Sequence, residues 1–171
     1  RMYISADKIA VLSPGFKKLL KERGVPESKI EVIYNWCEEE NINRTLRNEQ
    51  LSHDVGFSGR FNIVYAGALG KVQGLESILF AAKILAVRCP QIQMVFIGDG
   101  VEGDRLKRTA EELQLNNVIF LPRRPIQEIN PILTLADALL IHLKDLPLFG
   151  ATVPSKTQAY LASGRPIIVA V

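Results

Sequence analysis

Short apolar runs alternate along the chain with stretches in which apolar residues recur every three or four positions. Residues 8–12 are the first apolar run and predict a strand. Ser13 and Pro14 then supply an N-cap and a first-turn proline, Phe16, Leu19 and Leu20 share one helix face, and Gly24 ends the helix. Residues 30–34 predict a second strand. From 37 to 60 the periodicity fades around the acidic run Glu38-Glu39-Glu40, which reads as a linker or long loop.

A stronger alternation begins at Phe61. Residues 61–66 predict a strand and 67–74 a glycine-rich turn. Leu75, Ile78, Leu79, Ala82 and Leu85 then mark a helix face. Strand 93–97 leads through Gly98-Asp99-Gly100 into a helix that ends near Leu115. Residues 118–121 predict a strand, 126–136 a helix interrupted by Pro131, and 138–143 another strand. A long loop, 144–153, precedes a helix opened by Pro154 and Ser155 and closed by Gly164, and 166–170 predict the last strand. This order predicts an α/β fold, a doubly wound, mostly parallel, Rossmann-like sheet. A strand of such a sheet needs a helix over each face, and none follows the last one, so the chain is expected to be a fragment.

Composition narrows the function classes. The 171 residues are 47% hydrophobic and 23% charged, within the globular range. With 21 Lys+Arg against 18 Asp+Glu the net charge is +3, enough for a local anion site and too little to call for nucleic acid. Cys37 and Cys89 are too few for a disulfide framework or a metal knuckle, so a reduced, cytoplasmic setting without metal is expected. No apolar tract approaches the ~20 residues of a membrane span, and no signal peptide is visible. The sequence has no HExxH, CxxC, nucleophile elbow or paired carboxylates, which disfavours metal hydrolysis and Ser/Cys acyl transfer.

Four loops carry candidate chemistry. Gly67, Gly70 and Gly74 with Lys71 follow a strand and open a helix, a setting for phosphate or diphosphate; a plain turn is the alternative. Gly98-Asp99-Gly100-Val101-Glu102-Gly103 satisfies G-x-G-x-x-G. Yet Arg123 and Arg124 stand where a dinucleotide site wants an acid, and Glu102 and Asp104 would repel pyrophosphate, so NADP chemistry ranks low. Arg123 and Arg124, between Pro122 and Pro125, can pair with phosphate or stack on a base; a solvated loop is the alternative. The loop 146–158 carries Leu148 and Phe149 and ends with Ser155, Lys156 and Thr157 in a first helical turn. The helix dipole disfavours a lysine there, and a bound anion would resolve the conflict. His53 reads as solvated, whereas His142 ends a strand on the rim where such sheets bind ligands.

Taken together, these segments resemble the nucleotide-sugar-dependent glycosyltransferases of the GT-B fold, the group 1 (family 4) transferases. Residues 6–13 resemble the last strand of that family's N-terminal domain, and 30–36 its crossover strand. Tyr65 to Gly70 with Gly74-Leu75, and residues 95–100, are similar to its glycine turns. Residues 154–168 are similar to the subset that builds bacterial surface polysaccharides, of fucosamine or colanic-acid type.

The resemblance implies a cytoplasmic enzyme, at the inner face of the cell membrane, that moves sugar from a nucleotide diphosphate sugar, a UDP-sugar, to a polysaccharide or lipid-linked acceptor. The family's usual transfer retains anomeric configuration, and no separate cofactor is implied. Lys71 and Lys156 would then act on the diphosphate beside Gly67, Gly70, Ser155 and Thr157. Gln158 would lie near ribose, Arg123 and Arg124 near the base beyond Gly98, and Leu148, Phe149 and Gly150 near the sugar. Gly150 and Gln158 stand at the positions of two family glutamates, and Gln73 replaces a basic residue.

On this reading residues 1–36 are the tail of an acceptor domain, 37–60 a linker, and 61–171 a truncated donor domain. The chain alone is expected to bind nucleotide without turnover. A non-catalytic nucleotide-binding or interaction module, or a GT-B sugar-nucleotide epimerase, would share these features.

Overall fold

The computed structural model describes residues 2–36 and 48–171; Cys37 and the acidic run 38–40 lie outside them. The chain opens with a short helix α1 (Met2–Ser5), strand β1 (Ile9–Val11), helix α2 (Pro14–Glu22) and strand β2 (Ile30–Val32). β1 and β2 pair in parallel, with α2 as their crossover. As the sequence predicts, Ser13 caps α2, its Oγ accepting from the Phe16 amide at 3.0 Å. Val11, Leu20, Val25 and Ile30 form a small core of their own.

The main body then follows: α3 (Glu49–Asp54), β3 (Phe61–Ala66), α4 (Glu76–Arg88), β4 (Ile92–Ile97), α5 (Gly103–Glu112), β5 (Val118–Leu121), α6 (Ile126–Leu135), β6 (Ala138–His142), α7 (Lys156–Ala162) and β7 (Ile167–Ala170). The five strands run parallel in the order β5-β4-β3-β6-β7. Alternation along each strand sorts side chains to two faces. Ile63, Tyr65, Phe96 and Leu140 meet Leu79, Ala82 and Leu106 from α4 and α5. On the opposite face Val64, Val95, Leu139 and Ile141 meet residues of α6 and α7, including Leu133 and Tyr160. The three central strands β4, β3 and β6 are buried on both faces, as parallel sheets require.

One expectation needs correction. The linker expected over 37–60 contains α3, and the segment after it packs into the sheet. Phe57 is fully buried, Val55 lies beside it in the core, and Ser52 is buried with them. The helix is short and polar, so its periodicity is invisible, but Asn48 caps it by accepting from the Leu51 amide. A second difference is smaller: α6 continues through Pro131 instead of breaking there.

Candidate functional site

The strand order reverses between β3 and β6. From β3 the chain winds outward to β4 and β5, and from β6 it winds the other way to β7. Open α/β sheets bind ligands in the crevice beyond the carboxyl ends of strands at such a point. Here the crevice is wide. β3 keeps register with β4 from Phe61↔Ile92 to Ala66↔Ile97, but with β6 only at Ile63↔Ala138 and Val64↔Leu139.

Two glycine turns form the floor of the crevice and interlock through backbone. The Gly67 amide donates to Ile97 O at 2.9 Å, Leu69 N to Asp99 O at 2.8 Å, and Glu102 N to Leu69 O at 2.9 Å. A Cβ on Gly98 would stand 1.9 Å from Gly67 O, at a φ of +148°. Gly98 is therefore glycine because another turn lies against it, whatever the ligand. Tyr160 ties the turn to α7: its hydroxyl accepts from Ala66 N at 2.8 Å and donates to Ala66 O at 3.2 Å.

Lys156, the first residue of α7, lines a cleft of about 550 Å3 together with Gly67, Gly98, Gly100, Arg123 and Arg124. Ile126, Ile129 and Leu133 supply an apolar wall, and α7 contributes Lys156, Ala159 and Tyr160 at helical spacing. The Lys156 amine is buried with no hydrogen-bond partner among the described residues. It sits 3.4 Å from the centroid of the Tyr65 ring. That ring belongs to the α4/α5 face, so Lys156 reaches across the open end of the β3–β6 ladder. The gap exists because residue 67 has no side chain: a Cβ there would stand 2.9 Å from Nζ. Burial lowers the Lys156 amine to about 7, raises the Tyr160 phenol to about 12, and raises Tyr65 further.

Lys71 occupies a different cleft, of about 650 Å3, with Gly70, Gly74, Glu76, Arg105, His142 and Lys144 among its lining. Here Arg105 is partnered, bonding Glu76 at 2.9 Å and Glu102 at 2.7 Å. His142 faces the Gln73 carbonyl through Nδ1 and Ser77 Oγ through Nε2, the latter at 3.2 Å. The sequence groups Lys71 with Lys156 on one diphosphate; the structure separates them, because Gly70 and Lys71 lead into α4 while Lys156 opens a helix on the opposite face.

The remaining candidates scatter. Leu148 precedes the 3-10 turn Phe149–Ala151, which contacts the start of α2, where Ser13 Oγ donates to Ala151 O. Leu148, Phe149 and Gly150 line neither cleft. Ser155 is exposed just before α7. Thr157 and Gln158 line neither cleft, though Thr157 Oγ1 and Gln158 Oε1 are buried without a hydrogen-bond partner among the described residues. Reading the sequence overlooks Tyr65 and Tyr160, which look like ordinary core aromatics. The one available signal is that Tyr160 shares the helix face of Lys156 four residues on.

Sheet order and glycine turns define a doubly wound, Rossmann-like domain with a cleft on its rim. The chain belongs to the glycosyl transferases group 1 family, whose model matches residues 47–170. It is 30% identical over 168 residues to the probable glycosyltransferase WbjE of Pseudomonas aeruginosa, covering 98% of this chain and 41% of that one. It is 26% identical to the putative colanic acid biosynthesis glycosyl transferase WcaI of Escherichia coli K12, covering 96% of this chain and 40% of the relative. The chain thus spans about two-fifths of the length of these relatives. Among solved structures, Anabaena Alr3699/HepE in complex with UDP-glucose superposes with a TM-score of 0.80 at 18% identity, over 95% of this chain and 44% of that one. WaaG, a glycosyltransferase involved in lipopolysaccharide biosynthesis, gives 0.74 at 15%, over 95% and 44%. Among the described residues no helix is long and apolar enough to cross a membrane.

Proposed function

We propose that the chain is the donor-binding region of a glycosyltransferase that moves sugar from a UDP-sugar to a surface-polysaccharide or lipid-linked acceptor held by an N-terminal domain. The observation that carries the reading is the Lys156 amine, buried at a topological switch point without a hydrogen-bond partner among the described residues, in a cleft that also holds two arginines. A buried amine is costly unless something pairs with it, and a diphosphate would supply that partner. Arg123 and Arg124 can pair with phosphate or stack on the base, and the wall of Ile126, Ile129 and Leu133 suits the flat face of a nucleoside.

Glycosyl transfer to a hydroxyl leaves negative charge on the departing diphosphate. Positive groups fixed where that charge develops lower the barrier with no reorganisation at the moment of reaction. Lys156 is assigned that role, and the interlocked glycine turns hold the adjacent backbone in place. UDP-glucose in the complex of Alr3699/HepE, the colanic acid biosynthesis named for WcaI and the lipopolysaccharide biosynthesis named for WaaG support the choice of donor and acceptor class. Such a transferase would work in the cytoplasm at the inner face of the membrane. Calorimetric titration with UDP tests the assignment: wild type binds, and Lys156→Ala binds at least about tenfold more weakly, the loss expected of one charge-assisted hydrogen bond. Equal affinity would remove Lys156 from the diphosphate.

A further inference from the structure

We propose that Tyr65 is a positioning residue that holds the Lys156 amine in reserve, so that nucleotide binding draws the amine off the ring and is accompanied by uptake of a proton from solvent. The inference rests on the nucleotide-binding reading of the same cleft and goes beyond it by naming what holds the amine before the ligand arrives and what changes when it binds.

The geometry is specific. The amine lies over the ring face at 3.4 Å from its centroid, where an ammonium gains from the ring quadrupole but makes no hydrogen bond. The ring cannot follow the amine. Its hydroxyl donates to Ala68 O at 2.8 Å, its edge meets Phe96 at a centroid distance of 6.3 Å, and the residue is fully buried. Tyr160 fixes the strand end beside it through both polar groups of the Ala66 backbone. Lys156 can move, since its stem lines the open cleft and glycine at 67 leaves the passage clear.

The titratable and charged groups around the amine are few. β3 presents Tyr65, α7 presents Tyr160, the turn after β4 presents Asp99, and the loop after β5 presents Arg123 and Arg124, the latter bonded to Glu128 at 3.1 Å. None of these donates to or accepts from the Lys156 amine, and its depression to about 7 comes from burial alone. Near neutral pH the amine is therefore partly uncharged over Tyr65. Drawn out to an anionic diphosphate, it recovers an ordinary lysine's basicity and fills with a proton.

Calorimetric titration of the chain with UDP at pH 7, in buffers of different ionisation enthalpy, reads the proton directly. Wild type is expected to take up about half a proton per UDP more than Lys156→Arg, because an arginine is charged before and after binding. The comparison cancels the titration of UDP itself. The excess is expected to vanish below about pH 5.5 and to grow towards one proton near pH 8.5. Tyr65→Phe keeps the ring and is expected to keep the uptake. Tyr65→Leu removes the ring face that favours the charged amine and is expected to raise the uptake. Should Tyr65→Leu not fold, the wild-type and Lys156→Arg comparison still decides. UDP binding with equal uptake in those two proteins, or with no more than wild-type uptake in folded Tyr65→Leu, overturns the proposal and leaves the donor site intact. No UDP binding overturns the donor site and the proposal with it.

Discussion

Two clefts flank the carboxyl end of β3, each lined by a lysine that the sequence offers to the same phosphate. Lys71 is exposed, and around it Arg105 joins Glu76 and Glu102 while His142 bonds backbone and Ser77. Around Lys156 the amine is buried and has no hydrogen-bond partner among the described residues. An exposed lysine costs the fold little and signals little. A buried amine without a partner disfavours folding, and its retention in a cleft points to a ligand that supplies what the protein does not. The difference between the clefts is thus one of unmet electrostatic demand and not of size.

Substitutions at matched positions can break that contrast. The largest expected effect lies in the floor of the Lys156 cleft: Gly98→Ala drives a Cβ to 1.9 Å from Gly67 O at a positive φ. It should cost more than ~4 kcal/mol in urea unfolding, in the range of severe backbone clashes. In the Lys71 cleft Gly70→Ala meets only the flexible end of Gln73, at 2.7 Å, and should cost under ~1 kcal/mol. Next come the lysines. Lys156→Met should weaken UDP binding about tenfold or more, whereas Lys71→Met should stay within about threefold, in parallel titrations.

Stability should move the opposite way at the same residue. Replacing the buried amine with methionine should stabilise the ligand-free chain at pH 7 by ~1–4 kcal/mol, as when other buried ionic groups give way to apolar ones. The pH dependence has a definite sign. Lys156 titrates near 7 when folded and near 10.5 when unfolded, so the folded state binds fewer protons between those values and stability rises with pH across that window. The full penalty is present below pH 7. Wild-type Tm should therefore climb towards that of Lys156→Met between pH 7 and about 9.5. The smallest effect belongs to Arg105→Gln, whose surface network with Glu76 and Glu102 should change neither Tm nor UDP affinity measurably.

Most of the architecture was legible in the chain because strand and helix periods differ and glycine punctuates them. The runs 61–66, 93–97, 118–121 and 138–143 each lie on a strand of the sheet within one or two residues. α3 was not legible, since Glu49–Asp54 is short and polar, and its fit against the sheet is visible only once Phe57 is seen buried. The site was half legible. Lys156 stood out because a cation at a helix start opposes the dipole. Its separation from Lys71 was hidden, because neighbours on one rim can lie on opposite faces of the sheet, and the direction of each crossover decides which. The partnership of Lys156 with Tyr65 was hidden for the same reason: it crosses the sheet through a gap that only the short β3–β6 ladder reveals.

The Lys156 cleft, and not the Lys71 cleft, is expected to receive the diphosphate. A crystal structure of the chain soaked with UDP tests that expectation most directly. Diphosphate oxygens are expected within hydrogen-bonding distance of Lys156 Nζ, with the amine drawn away from the Tyr65 ring and the uracil beside Arg123 and Arg124. Diphosphate seated on Gly70 and Lys71, with Lys156 still over Tyr65, would contradict it.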